Sequence, residues 1–160
     1  MGPKKQDGDG DAGVATHAAA APASDMSQAM HHQPDFIDLR IRAEFLDLCG
    51  EHDTAAELRE RSMAIAREVD LNCYAYQLLW RGRVDESLEL LHTNAAAHPD
   101  SWNVYDSLGE VYAASGDIER AIDYYARALS MVDGEEVPAA RIATALSALN
   151  ARRATAQMVS

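Results

Sequence analysis

Two stretches of this chain, residues 68–101 and 102–135, align with each other without a gap at a period of about 34 residues. Each stretch places apolar or small side chains at the same slots, before a glycine and again after it. In the second stretch the slots hold Tyr105, Leu108, Gly109, Tyr112, Gly116, Ala121, Tyr125 and Ala128. In the first they hold Leu71, Tyr74, Ala75, Leu78, Gly82, Ser87, Leu91 and Asn94. Because a unit of this length cannot bury its apolar side alone, the repeat predicts a stack of similar units.

The spacing inside each unit predicts two helices joined by a tight turn. Before the glycine, the slots are spaced i, i+3, i+4 and i+7, which places them on one face of a helix. Gly109 and Ala121 are small enough to let two antiparallel helices approach closely. Gly116 tolerates the positive φ of a turn, and the Asp117 side chain can accept from free backbone N–H groups of the next helix.

On these residues the chain resembles the tetratricopeptide repeat, whose signature is W-x2-L-G-x2-Y, then A-x3-F and a late proline, over about 34 residues. The closest correspondence runs through Leu108, Gly109 and Tyr112 in the second unit, and Pro99 stands at the late proline position of the first. The resemblance implies an all-α solenoid that binds other proteins.

Further helices are predicted on both sides of the two units. Upstream, helix-spaced apolar or small residues flank Gly50, although Gly50 lies two positions closer to Gly82 than the repeat period requires, and Arg42 and Arg59 stand where apolar residues are usual. The flanking residues are Leu39, Ala43, Leu46, Ala55 and Ser62. Downstream, Pro138 suits the first turn of a helix. One apolar stripe follows it, formed by Ile142, Leu146 and Leu149.

We therefore predict an all-α fold: an α-solenoid of about three antiparallel helix pairs plus a C-terminal capping helix, within residues 34–155. The predicted units are about 36–67, 68–101 and 102–135, and the predicted cap is about 137–153. Residues 1–33 are rich in Gly, Ala and Asp. They have too little bulky apolar surface to offset the entropy of ordering, so a disordered tail is predicted there.

Location and chemistry are constrained mainly by what the sequence lacks. Lys4 and Lys5 precede an alanine run as in a secretion signal, but acidic residues interrupt it, so a cytoplasmic location is expected in preference to export. The chain has no run of 18 apolar residues, so no membrane span is expected. A net charge of −12 repels a phosphate backbone and argues against nucleic-acid binding.

Catalytic motifs are also missing. With lysine only at positions 4 and 5, neither a P-loop nor a Ser-x-x-Lys motif can be present, and G-x-S-x-G and H-E-x-x-H do not occur. We therefore predict no enzyme activity, no catalytic residues and no cofactor.

Cys49 and His52 form one C-x2-H pair, whereas a four-coordinate zinc site usually shows two tight ligand pairs. No metal site is predicted. Cys49 and Cys73 are expected to be buried small hydrophobes within helices, and to form no disulfide.

The family resemblance also implies a binding surface. In tetratricopeptide repeats the first helix of each pair lines a concave groove, where positions 2, 5, 9, 12 and 13 face a bound peptide. In the two units these positions are Val69, Asn72, Tyr76, Leu79, Trp80, Asn103, Asp106, Glu110, Ala113 and Ala114. Arg40, Glu44 and Asp47 could join them from the upstream unit.

The groove is expected to have an aromatic end at Tyr76 and Trp80 and an acidic end at Asp106 and Glu110. The predicted partner is a protein or peptide, with a basic segment suited to the acidic end. In the alternative interpretation, Trp80 packs against the turn of the preceding unit.

A second resemblance concerns residues 100–110, Asp-Ser-Trp-Asn-Val-Tyr-Asp-Ser-Leu-Gly-Glu. This run is similar to repeats appended to the C-terminus of bacterial hydrolases. It implies an alternative function, a detached accessory repeat module of a hydrolase system.

Overall fold

The computed structural model describes residues 34–159, and within them the chain forms seven α-helices. They are α1 (Phe36–Leu48), α2 (His52–Ile65), α3 (Glu68–Trp80), α4 (Val84–Ala97), α5 (Trp102–Ser115), α6 (Ile118–Met131) and α7 (Glu136–Val159). The all-α prediction and the three helix pairs are confirmed. The predicted disordered tail lies outside the described residues.

The helices keep the register of the sequence repeat. The first helices α3, α5 and α7 begin at Glu68, Trp102 and Glu136, so equal intervals separate the three starts. The predicted capping helix therefore occupies the position of the first helix of a further unit. It is also longer than predicted, with 24 residues.

The upstream pair α1–α2 differs from the other units in its connection to the next pair. α2 and α3 are joined by Ala66 and Arg67 alone, whereas residues 98–101 and 132–135 connect the later units. The turn inside the pair is like the others, because Gly50, Gly82 and Gly116 all have positive φ, between 76° and 89°. The two positions by which the first unit falls short of the repeat period are thus missing from the connection, not from the helices.

Side-chain caps fix two of the helix starts. The Asp35 carboxylate accepts from the backbone N–H of Asp38 at 2.9 Å, and the Asp117 carboxylate accepts from that of Arg120 at 3.1 Å. Such caps satisfy N–H groups that have no partner inside the helix. The role predicted for Asp117 is confirmed.

The core runs through the stack and is densest between α5 and α6. Gly109 faces the ring of Tyr125, and a Cβ placed on Gly109 would lie only 2.8 Å from Cγ of that ring. Ala121 and Leu108 are fully buried beside them. The close helix approach predicted from the two small residues is confirmed.

The helices of residues 34–159 lack the combination of length and apolarity that a membrane-spanning helix requires.

Candidate functional site

The first helices α1, α3, α5 and α7 share one surface, on the side opposite to the second helices. In α1 the buried residues Leu39 and Ala43 face α2, and Ile41 and Phe45, each two residues further on, lie about 200° around the helix. We call this surface the first-helix face. Equivalent positions of the four helices form rows across this face, with one residue from each helix. One row consists of Ile41, Cys73, Ser107 and Arg141, and another of Leu48, Trp80, Ala114 and Ala148.

Large apolar side chains are exposed at the α1 and α3 end of this face. Leu48 is 88% exposed, Trp80 79%, Phe45 64% and Ile41 57%. We call these four residues the apolar patch. Arg81, which follows Trp80, donates to Glu44, one turn before Leu48, at 3.0 Å, so the patch extends across both helices.

Three members of the apolar patch were missed by the sequence analysis. The family positions selected Arg40, Glu44 and Asp47 from α1. Arg40 and Glu44 face α3, where both contact Tyr74, and Asp47 pairs with Arg59 of α2. The sequence signal for Ile41, Phe45 and Leu48 is their i, i+4, i+7 spacing on the side opposite to Leu39 and Ala43. That signal marks a helix with two apolar faces, of which only one can pack on α2.

The aromatic end of the face is present, with different roles for its two rings. The Tyr76 and Trp80 rings are adjacent, with centroids 6.4 Å apart. The Trp80 exposure contradicts the alternative in which this ring packs against the preceding turn. Tyr76 is half-buried, and its hydroxyl donates to Glu110 Oε2 at 2.6 Å and lies 3.2 Å from Ser107 Oγ. Burial and the Glu110 carboxylate raise the pKa of Tyr76 well above its ordinary value.

The acidic end of the face is neutralised from within the chain. Arg141 of α7 forms a hydrogen-bonded ion pair with Asp106 and donates to Glu110 Oε1 at 2.7 Å. Asp106 is only 3% exposed, and its burial raises the pKa of its carboxyl group even though Arg141 acts to lower it. The expectation of an open acidic end is therefore corrected: Asp106 is an internal group, and Glu110 is shared between Tyr76 and Arg141.

The remaining predicted groove residues range from buried to exposed. Asn72 is buried and accepts from Asn94 Nδ2 at 2.9 Å, so it is not available to a partner. Leu79 is half-buried against the core. Asn103 is partly exposed and donates to Glu68 Oε1 at 3.2 Å.

Glu44 of α1 is the centre of a polar network that links the first two helix pairs. Its carboxylate accepts from the Tyr74 hydroxyl at 2.6 Å and from Arg81 and Arg83 at 3.0 Å. Burial acts to raise the pKa of Glu44, but these hydrogen bonds and the positive charge of Arg81 outweigh it, so the pKa lies below its ordinary value. The Arg40 guanidinium stacks on the Tyr74 ring, 4.6 Å from its centroid.

Both cysteines are exposed and free, so the expectation that they are buried is wrong. Cys73 lies on the first-helix face between Val69 and Trp80, and Cys49 follows the last residue of α1. We expect both thiols to react with Ellman's reagent in the native protein without reductant. Fewer than two thiols, recovered only after reduction, would contradict the free state.

No cluster of three or more His, Cys, Asp or Glu side chains arranged to hold a metal ion is found within the described part of the chain.

Stacked pairs of antiparallel helices in a constant repeat register define a helical-repeat protein of the α-solenoid class. Residues 104–139, which cover most of α5, all of α6 and the first turn of α7, match the family model of the tetratricopeptide repeat. The chain therefore contains a tetratricopeptide repeat, and α3 and α4 repeat the same register. No curated protein matches the chain, and the hydrolase resemblance of residues 100–110 stays a prediction.

Proposed function

We propose that this protein is a non-catalytic binding module that holds a partner protein on its first-helix face, with the apolar patch as the main contact. The observation that carries the proposal is the exposure of Trp80, 79%, together with that of Leu48 at the equivalent position of the preceding first helix, 88%. Contiguous exposed apolar surface on a soluble domain typically marks a contact site, and tryptophan is enriched among residues that dominate binding energy. Tetratricopeptide repeats generally mediate protein–protein interactions.

The chemistry of the partner follows from the patch and from the net charge. Large apolar side chains on the partner are needed to cover Phe45, Leu48 and Trp80. The net charge of −12 favours the approach of a basic segment and disfavours nucleic acid. Because Arg141 neutralises Asp106 and Glu110, basic groups on the partner act by long-range steering and make no ion pair at that end.

Trp80→Ala is expected to weaken partner binding by about 2 kcal/mol or more, roughly 30-fold in Kd, without lowering the melting temperature. The binding loss follows from removing an anchor, and the unchanged stability follows from the exposure of Trp80. Partners are first captured by the wild-type chain and identified by mass spectrometry. Affinities of the purified partner for both proteins are then measured by calorimetry.

Met158→Ala is the matched control for that experiment. Met158 is an exposed large hydrophobe on α7, outside the apolar patch, so its removal should leave the Kd unchanged. Equal losses from both variants would indicate nonspecific hydrophobic binding, and an unchanged Kd in Trp80→Ala would move the binding surface elsewhere.

Cys73 offers a second, independent readout. In a Cys49→Ser variant Cys73 is the one remaining cysteine, and saturation with the partner should slow its modification by a maleimide. Because Cys73 lies one turn from Tyr76 and two from Trp80 on the same helix, unchanged reactivity in the complex would contradict binding on this face.

Tyr76 is better tested by Tyr76→Phe than by Tyr76→Ala. Its hydroxyl is bonded to Glu110 and its ring is half-buried, so truncation to alanine would also cost stability. Tyr76→Phe keeps the ring beside Trp80, and should change partner affinity less than Trp80→Ala does.

A further inference from the structure

The first junction between successive helix pairs is packed differently from the later ones. α4 packs extensively on α5, and α6 on α7, whereas the equivalent contact between α2 and α3 is slight. The two-residue connection at Ala66 and Arg67 accompanies this difference. The first pair, α1–α2, is thus joined to the rest of the stack mainly through α1 and α3.

The residues of the first junction are also less apolar than those of the second. On the side of α5 that faces the preceding pair, Val104 and Val111 are fully buried. The equivalent residues of α3 are Asp70 and Gln77, which are polar and partly exposed. Apolar burial, the strongest source of cohesion between repeats, is therefore much smaller at the first junction.

Open space and charged side chains take the place of that apolar contact. Two neighbouring cavities of about 360 and 260 Å³ lie between the pairs, and both are lined by Arg40, Arg59 and Glu86. The direct links across the junction include the bonds of Glu44 to Tyr74, Arg81 and Arg83. Phe36 and Arg40 of α1 also contact the Tyr74 ring, the first edge-on and the second through its guanidinium. Ion pairs of this exposure contribute little each and are screened by salt.

We propose that the junction between α1–α2 and α3–α4 is a hinge that Glu44 holds closed, and that its opening moves the α1 part of the apolar patch away from Trp80. Glu44 suits this role because one carboxylate of α1 binds three groups of the second pair at once. Losing it leaves chiefly the contacts of Phe36 and Arg40 with the Tyr74 ring to hold the junction.

The hinge acts on the first-helix face, where the proposed function places the partner. Its effect on binding therefore rests on the proposed function. Ile41, Phe45 and Leu48 move with α1, and Trp80 belongs to α3. A partner that covers all four residues requires the closed state, so the population of open junctions lowers its apparent affinity.

The two cysteines allow the hinge to be measured without any partner. Cys49 is in the first pair, Cys73 is in the second, and both are exposed. Nitroxide labels on the two thiols of the full chain report the distance between the pairs by double electron–electron resonance. At low salt the wild type should give one narrow distance distribution. In about 1 M NaCl, where the Debye length falls to about 3 Å, the distribution should broaden toward longer distances.

In Glu44→Gln the distance distribution should be broad and shifted to longer distances already at low salt, and added salt should change it little. Glu110→Gln is the matched control, because Glu110 stands at the same repeat position two units later and bonds α5 to α3 and α7. Its distribution between Cys49 and Cys73 should resemble that of the wild type.

Identical distributions in the wild type and Glu44→Gln, at low and high salt, would overturn the hinge. Loss of helicity over the whole domain in Glu44→Gln, measured by circular dichroism on the same samples, would overturn it as well, because the first pair would then not move as a unit. Neither result bears on the Trp80→Ala binding test, so failures of the two proposals are distinguishable.

Discussion

Gly109→Ala is expected to destabilise the protein, although alanine is the better helix former by about 1 kcal/mol at an exposed site. An added Cβ would lie 2.8, 2.9 and 3.0 Å from Cγ, Cδ1 and Cδ2 of the Tyr125 ring. These atoms belong to the base of a buried ring, so relief requires α5 and α6 to move apart. Overpacking of this kind costs about 1–3 kcal/mol, and Gly109→Leu should cost more.

Thermal unfolding followed by circular dichroism measures the effect, with an expected loss of roughly 5–15 °C for Gly109→Ala. Ala114→Leu is the control, because Ala114 is exposed on the same helix. Ala113, which the sequence analysis placed in an open groove, is partly buried against the core and is less suitable. Equal melting temperatures for Gly109→Ala and the wild type would show that the helices are not in close contact at this position.

Arg141→Met should be the most damaging single change on the first-helix face. It leaves the Asp106 carboxylate buried without its cation, and breaking a buried pair in this way costs about 3–5 kcal/mol. Because the Arg141 side chain is 47% exposed, a loss of about 2–3 kcal/mol at neutral pH is expected here. The stem that methionine retains limits the loss of packing.

The pH dependence identifies the cause of that loss. Asp106 has a raised pKa in the folded state, so its contribution to stability is fully present below its ordinary pKa and is lost as pH rises through the folded value. Removing Arg141 raises the folded value further. The deficit of Arg141→Met relative to the double variant Arg141→Met, Asp106→Asn should therefore be large at neutral pH and shrink on acidification.

Chemical denaturation of these variants at several pH values provides the test. Arg152→Met, at an exposed position on the same helix, should leave stability unchanged. A deficit that is the same at every pH, or that Asp106→Asn does not relieve, would indicate lost packing of the Arg141 stem as the cause.

The helix pairs could be predicted because their signals are local. The turn glycines, the i, i+3, i+4, i+7 spacing and the Asp117 cap each act over a few residues, and each reappears in the structure. α7 ends six residues later than predicted. An exposed helix end packs on no other element, so no apolar pattern in the sequence marks where it stops. The shorter spacing of the first unit was visible, but the sequence did not show that the deficit lies in the connection.

The candidate site was predicted in part. The family positions identify which residues face the groove side of each first helix, but not which side chains from other helices cover them. Trp80 is exposed as that surface requires, whereas Asn72 is buried against Asn94 and Asp106 is covered by Arg141. Both covering residues come from other helices, 22 and 35 residues further along the chain. Nothing in the local sequence around Asn72 or Asp106 predicts them.

The sequence by itself determined the repeat length, the helix pairs and the close contact at Gly109. Helical spacing is a property of neighbouring residues, and the missing side chain of Gly109 permits a close approach at that position alone. The tertiary structure alone decided which charges stay free and which apolar side chains stay exposed. Pairing of Arg141 with Glu110, or of Glu44 with Arg81, depends on how far each helix pair is rotated against the next. That rotation results from packing across whole junctions, and in the folded chain it leaves Leu48 and Trp80 open to solvent.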